Sequence, residues 1–569
     1  MPPRLRRYSF YLIAGLASVL SLVRQSPAQC FRDQHDGSTR ALYEQRDWSG
    51  IVQRAEEIHP RSADLNFDFG MALAHLARWN LAQKALETGH RQCPHQKRFD
   101  LELAGVFFQL KQYTKSAVWV RRGLKLDPQD SYANDLAGTT YFLTGNLGAA
   151  LKYWNRIQKP YVSALRFGPQ LHVERLLLDR TVAFSPASIL KYPEFATTVS
   201  RLSGLGIFPV YNIALRPEGQ GEFNVDINAI EKNEFGASST QALVATFSGA
   251  WYETIYPSYF NIRRSAINLE SLLRWDTQKR RVWLSYSAPL RDLAQWRIQF
   301  TTDERNENWS IRQGFTGPAA EFGSLNLERE KVTGSLTSLH SSSLQWSIGG
   351  DLSHRAYRDV LYGLALTPGL TLSGFQLKQI ASIQTKVLDI PERRLTLNAG
   401  GESAFGRIWS TPPQLFEKLQ GSSVAHWYPQ AGGGELEVEA RVRAGWTFGN
   451  APFDELYMLG IERDNDLWLR GEIGIRDGRK GSSPLGVRYF LSNLDLQRRV
   501  YDNGLLKLKA GPLFDVGKAS APNAYPSSNR WIFNPGAEAR INVLGTNLVV
   551  SFGRDLHAGT NAFFASVVR

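Results

Sequence analysis

The sequence predicts an α+β multidomain chain with three folded parts: a helical repeat array, one small β-α-α-β-β module, and a sixteen-stranded antiparallel transmembrane β-barrel. Three observations predict it. A thirty-four-residue step runs through residues 38–160, the periodicity changes beyond Pro160, and period-two segments fill residues 235–569. The composition suits all three. Of 569 residues 43% are hydrophobic and 12% aromatic, which supplies several cores and excludes wholesale disorder. Two Cys exclude a disulfide scaffold and a four-Cys zinc site.

The N-terminus reads as an export signal. Arg4, Arg6 and Arg7 precede thirteen uncharged residues, Phe10 to Leu22, and Ser26-Pro27-Ala28 supplies small residues for a cut after Ala28. Thirteen residues are short for a helical span, which needs about twenty. Residues 1–28 are therefore assigned to a cleaved signal peptide, and the mature chain is extracytoplasmic. A net charge of +13 would suit nucleic acid, but an exported chain does not meet it. In an oxidising compartment Cys30 and Cys93 either pair or remain two thiols, and the sequence leaves both open.

The array follows. Pro60, Pro94 and Pro128 are spaced by thirty-four, as are Gly70, Ala104 and Gly138, and Ala82, Ser116 and Ala150. Leu86, Val120 and Trp154 form a fourth such column. Small residues let two helices approach, large ones fill the groove, and Pro ends the second helix. Residues 38–160 resemble tetratricopeptide repeats, which implies a concave surface for a partner, a spacer, or a dock for a neighbouring domain.

In residues 168–233 HVERLLLDR reads as a short strand, and SPASILKYPEFATTVSRLSGLGIF as two helices with Ser185 and Pro193 as start signals. Phe223, Val225 and Ile227 alternate with Asn224, Asp226 and Asn228 in a closing hairpin. Leu202, Leu205, Gly206, Ile207 and Phe208, followed by that hairpin, resemble the second-helix-to-strand turn of a polypeptide-transport-associated (POTRA) domain. The resemblance implies capture of unfolded chains by strand addition to a sheet edge.

Residues 235–569 carry the barrel pattern. Leu436, Val438, Ala440, Val442, Ala444 and Trp446 alternate with Glu435, Glu437, Glu439, Arg441, Arg443 and Gly445. Such segments, with eleven of the fifteen Trp in this part, fit lipid-facing apolar and lumen-facing charged residues. Leu459-Gly460 and Leu469-Arg470-Gly471 resemble the long-loop motif of the Bam/Tam and two-partner-secretion barrels. Leu513-Phe514-Asp515-Val516-Gly517 resembles their F-x-D-x-G strand, and RYFLSNLDLQRR the strand carrying an inward acid, Asp495. The resemblance implies that Arg470 enters the lumen and pairs with Asp495 and Asp515 by a bidentate fork. Gly471 and Gly517 belong to the same motifs. Departures are Glu472 in place of an aromatic, a single Gly at 460, Ala288 before Pro289, and an end in FFASVVR.

No H-E-x-x-H, G-x-S-x-G or His ligand spacing is present, so no enzyme activity, metal or cofactor is expected. The reading is an outer-membrane protein-assembly, insertion or translocation factor with its N-terminal parts in the periplasm. Its expected partners are outer-membrane lipid, unfolded outer-membrane or secreted clients, and a periplasmic partner on the repeats, with no nucleic acid. The competing readings are a polysaccharide export channel of the tetratricopeptide-barrel type and a single-substrate two-partner secretion pore.

Overall fold

The computed structural model describes residue 30 and residues 35–219, 221–430, 434–504, 506–520, 529–543 and 546–568. The export segment expected at residues 1–28 lies outside them. The chain divides into two compact units, Met1–Ile157 and Gln158–Arg569.

The first unit is helical. Its helices are α1 (Arg40–Glu44), α2 (Trp48–Glu57), α3 (Ala63–His75), α4 (Trp79–Gln92), α5 (Lys97–Gln109), α6 (Tyr113–Leu126), α7 (Ser131–Leu143) and α8 (Leu147–Trp154). They pack as consecutive hairpins, α3 on α4, α5 on α6 and α7 on α8, behind the shorter α1–α2 pair. Side-chain caps start several of them. Ser62 Oγ accepts from Leu65 N–H at 3.0 Å and Asp130 Oδ1 from Ala133 N–H at 3.0 Å, which satisfies otherwise orphaned donors.

The small-residue columns lie where helices touch. A Cβ on Gly70 would meet Leu86 Cγ at 2.6 Å, and one on Gly138 would meet Trp154 Cδ1 at 2.2 Å. Ala104, Ala82, Ala150 and Ser116 are fully buried. The Ser116 hydroxyl donates to the Ala104 carbonyl at 2.8 Å, so its polar atom is paired inside the contact. Cys30 and Cys93 form a disulfide with Cα atoms 5.4 Å apart, which ties the lead-in segment to the end of α4. A second tie is the buried Asp68 carboxylate, which accepts from Asp36 N–H at 2.9 Å and the Thr39 hydroxyl at 2.7 Å.

Two acids on α5 give this unit a pH signature. Burial pushes the Glu102 carboxyl up to about 7. Burial also raises Asp100 to about 6, against the opposing charges of Arg122 and His95. Between the ordinary carboxylate range and these values the folded state holds protons the unfolded state has released. The penalty is therefore absent below about pH 4, grows as pH rises, and is complete above about pH 7. Glu102→Gln should raise the helical melting temperature relative to the parent at pH 8, with the difference vanishing near pH 4. An equal shift at both pH values would contradict this.

The second unit begins with a mixed sheet. Its elements are β1 (Tyr161–Phe167), α9 (Arg175–Thr181), β2 (Ser188–Ile189), α10 (Tyr192–Gly204), β3 (Val210–Gly219) and β4 (Glu222–Ile230). The strand order is β2-β1-β4-β3, with β1 parallel to β4 and β3 antiparallel to it. This corrects the expected start. The module opens at Tyr161, not at residue 168, and RLLLDRT is helix α9, not a strand. Leu177 and Thr181 bury at helical spacing, and Arg175 pairs with Asp179 one turn on at 3.0 Å. Leu202, Leu205, Ile207 and Phe208 are all buried at the turn after α10. Gly206 sits there at φ +72°, a conformation open to Gly and costly for a residue with a Cβ.

Helix α11 (Ser239–Phe247) leads into a large antiparallel, barrel-like sheet. Its strands are β5 (Thr254–Ile255), β6 (Ser258–Ile262), β7 (Ile267–Trp275), β8 (Lys279–Leu290), β9 (Leu293–Arg312), β10 (Glu321–Ser338) and β11 (Leu344–Leu361). They continue as β12 (Gly374–Ile390), β13 (Leu395–Trp409), β14 (Gln414–Trp427) and β15 (Leu436–Gly449). A long loop then carries four two-residue strands, β16 (Tyr457–Met458), β17 (Ile475–Arg476), β18 (Arg479–Lys480) and β19 (Leu485–Gly486). The wall resumes with β20 (Arg488–Asp502), β21 (Leu506–Ser520), β22 (Ile532–Val543), β23 (Thr546–Arg554) and β24 (Asn561–Val568). Each wall strand pairs with its neighbour in sequence, and β15 pairs directly with β20.

The expected sixteen strands are corrected to fifteen among the described residues. Strands β5 and β6 share one register against β7, Thr254 opposite Arg274 and Ser258 opposite Glu270, and so form one interrupted strand. With β7–β15 and β20–β24 this makes fifteen. The segment before β5 folds as α11 instead, capped by Ser238 Oγ, which accepts from Gln241 N–H at 3.2 Å.

The wall is polarised the opposite way to a soluble sheet. On β15 Val442, Trp446 and Phe448 are exposed while Glu439, Arg443 and Thr447 are buried. On β11 Leu352 is 53% exposed and Arg355 0%. Apolar side chains point outward and charged ones inward, an arrangement that costs free energy in water on both faces.

Candidate functional site

The candidate site is the loop between β15 and β20, which folds back among the inward-facing charges. Apolar residues seat it first. Leu459 and Leu469 are fully buried with Leu467, Tyr457, Tyr489, Leu491, Ala519 and Ile532. Phe453, Met458 and Leu485 pack with Trp309, Ile311, Leu325 and Leu327 on the opposite part of the wall.

Arg470, 3% exposed, lies at the centre. Its Nε and Nη2 donate to the two carboxylate oxygens of Asp515 at 2.9 and 2.6 Å, a bidentate fork. Its Nη1 donates to Asp495 Oδ1 at 2.5 Å and Glu538 Oε2 at 2.9 Å. Its backbone N–H adds a bond to Asp515 Oδ2 at 2.8 Å. Asn493 Nδ2 also donates to Asp515 at 2.8 Å, and Arg540 joins Glu538 at 2.7 Å. Three strands, β20, β21 and β22, thus hold one guanidinium.

Glycines give the loop backbone room against this wall. A Cβ on Gly471 would meet Asn534 Cγ at 2.5 Å, and one on Gly553 of β23 would meet the Arg470 carbonyl at 2.3 Å. Gly517 faces Leu469, whose Cδ1 would stand 3.1 Å from a Cβ there. The structure therefore brings Arg470, Gly471, Asp495, Asp515 and Gly517 together in one place.

Sequence reasoning missed Glu538 and two further anchors of opposite sign. Asp454 at the loop entrance accepts from Arg355 Nη1 at 2.7 Å, Arg329 Nη1 at 3.0 Å and the Tyr357 hydroxyl at 2.7 Å. The adjacent Glu455 takes Lys378 at 2.9 Å and Lys418 at 3.3 Å. At the loop tip Asp464 takes Arg274 and Arg281, both at 2.7 Å, and Lys480 at 3.3 Å. The wall is thus basic on β7, β8, β10, β11, β12 and β14 where the loop is acidic, and acidic on β20–β22 where the loop offers Arg470. A signal was present: the loop stretch PFDELYMLGIERDNDLW is rich in acids, and the inward alternation positions of those strands carry Arg and Lys.

Beside the loop lies a cavity of about 1020 Å³, lined in part by Glu270, Arg441, Asp466, Arg470, Lys509 and Arg540. Glu437 and Glu439 of its lining approach His426 with metal-like proximity. Their chemistry is already spoken for: Glu437 receives Lys509 at 2.8 Å and the Tyr428 hydroxyl at 3.1 Å, and Glu439 receives Arg441 at 2.6 Å. The site holds and positions charge.

No protein-family model and no curated protein matches the chain. Solved structures do. BamA from Haemophilus ducreyi, lacking POTRA domains 1–3, is 12% identical at a TM-score of 0.39, covering 72% of this chain and 84% of that one. CdiB from Escherichia coli is 12% identical at 0.46, covering 72% and 75%. CdiB from Acinetobacter baumannii is 11% identical at 0.42, covering 80% and 86%. The functional reading rests on the loop and wall residues of this chain.

Proposed function

We propose that this protein is an outer-membrane β-barrel that inserts or translocates polypeptides. The carrying observation is a wall apolar on its outside whose inward acids grip a loop arginine in an L-R-G context. Lipid is the environment in which that polarity is favourable, because it accepts the apolar face while the enclosed face stays hydrated. Among the described residues no helix is long and apolar enough to cross a membrane, so the strands would span it. The sheet would close on itself, the loop Arg470 acting as a latch. The helical unit reads as periplasmic tetratricopeptide repeats, and the β1–β4 sheet, with its β1-β4-β3 core order, as a POTRA-like module. Both would receive clients or partners.

Outward positions test the membrane reading. Val442→Arg should cost about 2–4 kcal/mol near the bilayer midplane and lower the heat resistance of the membrane-extracted barrel. A neutral effect would place Val442 outside lipid.

The function is tested by reconstituting the full chain in liposomes with an unfolded outer-membrane barrel client. Faster client insertion than in empty liposomes, or passage of an exported polypeptide into the lumen, supports the reading. Polysaccharide flux without either would favour an export channel instead.

A further inference from the structure

The two ends of the sheet are β24 on one side and the β5–β6 strand on the other. They are its weakest part, since β24 has eight residues and β5 and β6 only two and five, against 20 in β9. Loop residues 463–470 lie across them. Arg470 is held by β20, β21 and β22 near one end. Asp464 is held by Arg274 of β7 and Arg281 of β8 near the other. Beside and between these anchors the loop contacts β24 and the residues just ahead of β5. The Arg463 guanidinium stands 4.0 Å from the Tyr252 ring and 5.5 Å from Trp251, just ahead of β5, and 5.6 Å from Phe564 of β24. Trp468 packs edge-on against the same Phe564, with ring centroids 6.0 Å apart. Arg274 carries the tie one strand further, its Nε donating to Thr254 Oγ1 of β5 at 3.1 Å.

We infer that residues 463–470 form a strap joining the two ends of the sheet, and that the Asp464 anchor is its release point. The two anchors differ in what their partners do when freed. If Arg470 leaves, Asp495 and Glu538 must share the one cation Arg540, and Asp515 keeps only the neutral Asn493 as a side-chain donor. If Asp464 leaves, Arg281 keeps Asp303 at 2.8 Å and Lys480 keeps Glu307 at 2.7 Å. Arg274 keeps only the Thr254 hydroxyl, but the other two cations each retain an acid of their own, which makes the Asp464 end the easier one to open. The aromatic contacts of Arg463 would open with it, since the two residues are adjacent in the chain. This holds whether or not the barrel handles polypeptides.

Hydrogen exchange on the full chain in lipid nanodiscs tests the strap. Asp464→Asn should raise backbone exchange in residues 254–262 and 561–568 by about tenfold or more, with residues 414–427 unchanged. Arg463→Gln, which leaves every ion pair of Asp464 in place, should give the same pattern at smaller amplitude. It decides the matter alone if Asp464→Asn does not fold. Unchanged exchange in those two end strands, or an equal rise throughout the wall, would overturn the inference.

Discussion

Arg470→Ala is expected to lower barrel stability by about 3–5 kcal/mol, the cost of stranding a buried ion-pair network by removing one partner. Asp515 and Asp495 are nearly inaccessible, as is Glu538, and the guanidinium joins all three. With Arg470 gone, Arg540 pairs with Asp495 and Glu538 only, and Asp515 keeps Asn493 as a neutral donor. Water entering the adjacent cavity would screen some of that repulsion and bring the loss to the lower end of the range. The helical unit, a separate compact body, should melt as before. The measurement is the heating temperature at which the barrel loses its compact electrophoretic mobility, alongside helical circular dichroism. Arg470→Lys should recover only part of the loss, because an ammonium cannot supply the planar fork to Asp515. Equal stability of parent and Arg470→Ala would show that the lumen hydrates the acids freely.

The second large effect belongs to Asp454. Arg355 is completely buried, and Asp454 is its closest acid, with Glu455 at 4.0 Å. Asp454→Ala leaves Arg355, Arg329 and the Tyr357 hydroxyl without their shared acceptor, again costing about 3–5 kcal/mol. Asp454→Asn keeps the shape and one acceptor and should cost less. The two lesions should differ in location. Proteolysis of Arg470→Ala should nick the loop near residue 470, whereas Asp454→Ala should loosen the entrance at residues 450–456 while residue 470 stays protected. Identical cleavage patterns would mean that the anchors act as one unit.

Much of the architecture could be read from residue order. Period-two alternation on β15 and β21 needs only local sequence, because the side-chain period of a strand is two whatever surrounds it. The repeat columns were legible because close helix contacts admit only small residues at Gly70 and Gly138. Arg470 and its wall acids were legible through a motif. The rest depended on the third dimension. Asp454 and Asp464 find their wall arginines at sequence separations of about a hundred residues or more, and no local pattern carries such pairings. RLLLDRT has strand-like and helical readings of equal length, and its helical burial of Leu177 and Thr181 decided between them. The strand count failed at α11, where Leu243 and Phe247 satisfy a helical spacing as readily as an alternating one.

The odd strand number has a directional consequence. Each wall strand runs opposite to its sequence neighbour, so among the described residues the first and the fifteenth point the same way. Direct hydrogen bonding between them would therefore be parallel, with slanted bonds that are slightly less stable per residue. One additional strand running the other way would be antiparallel to both.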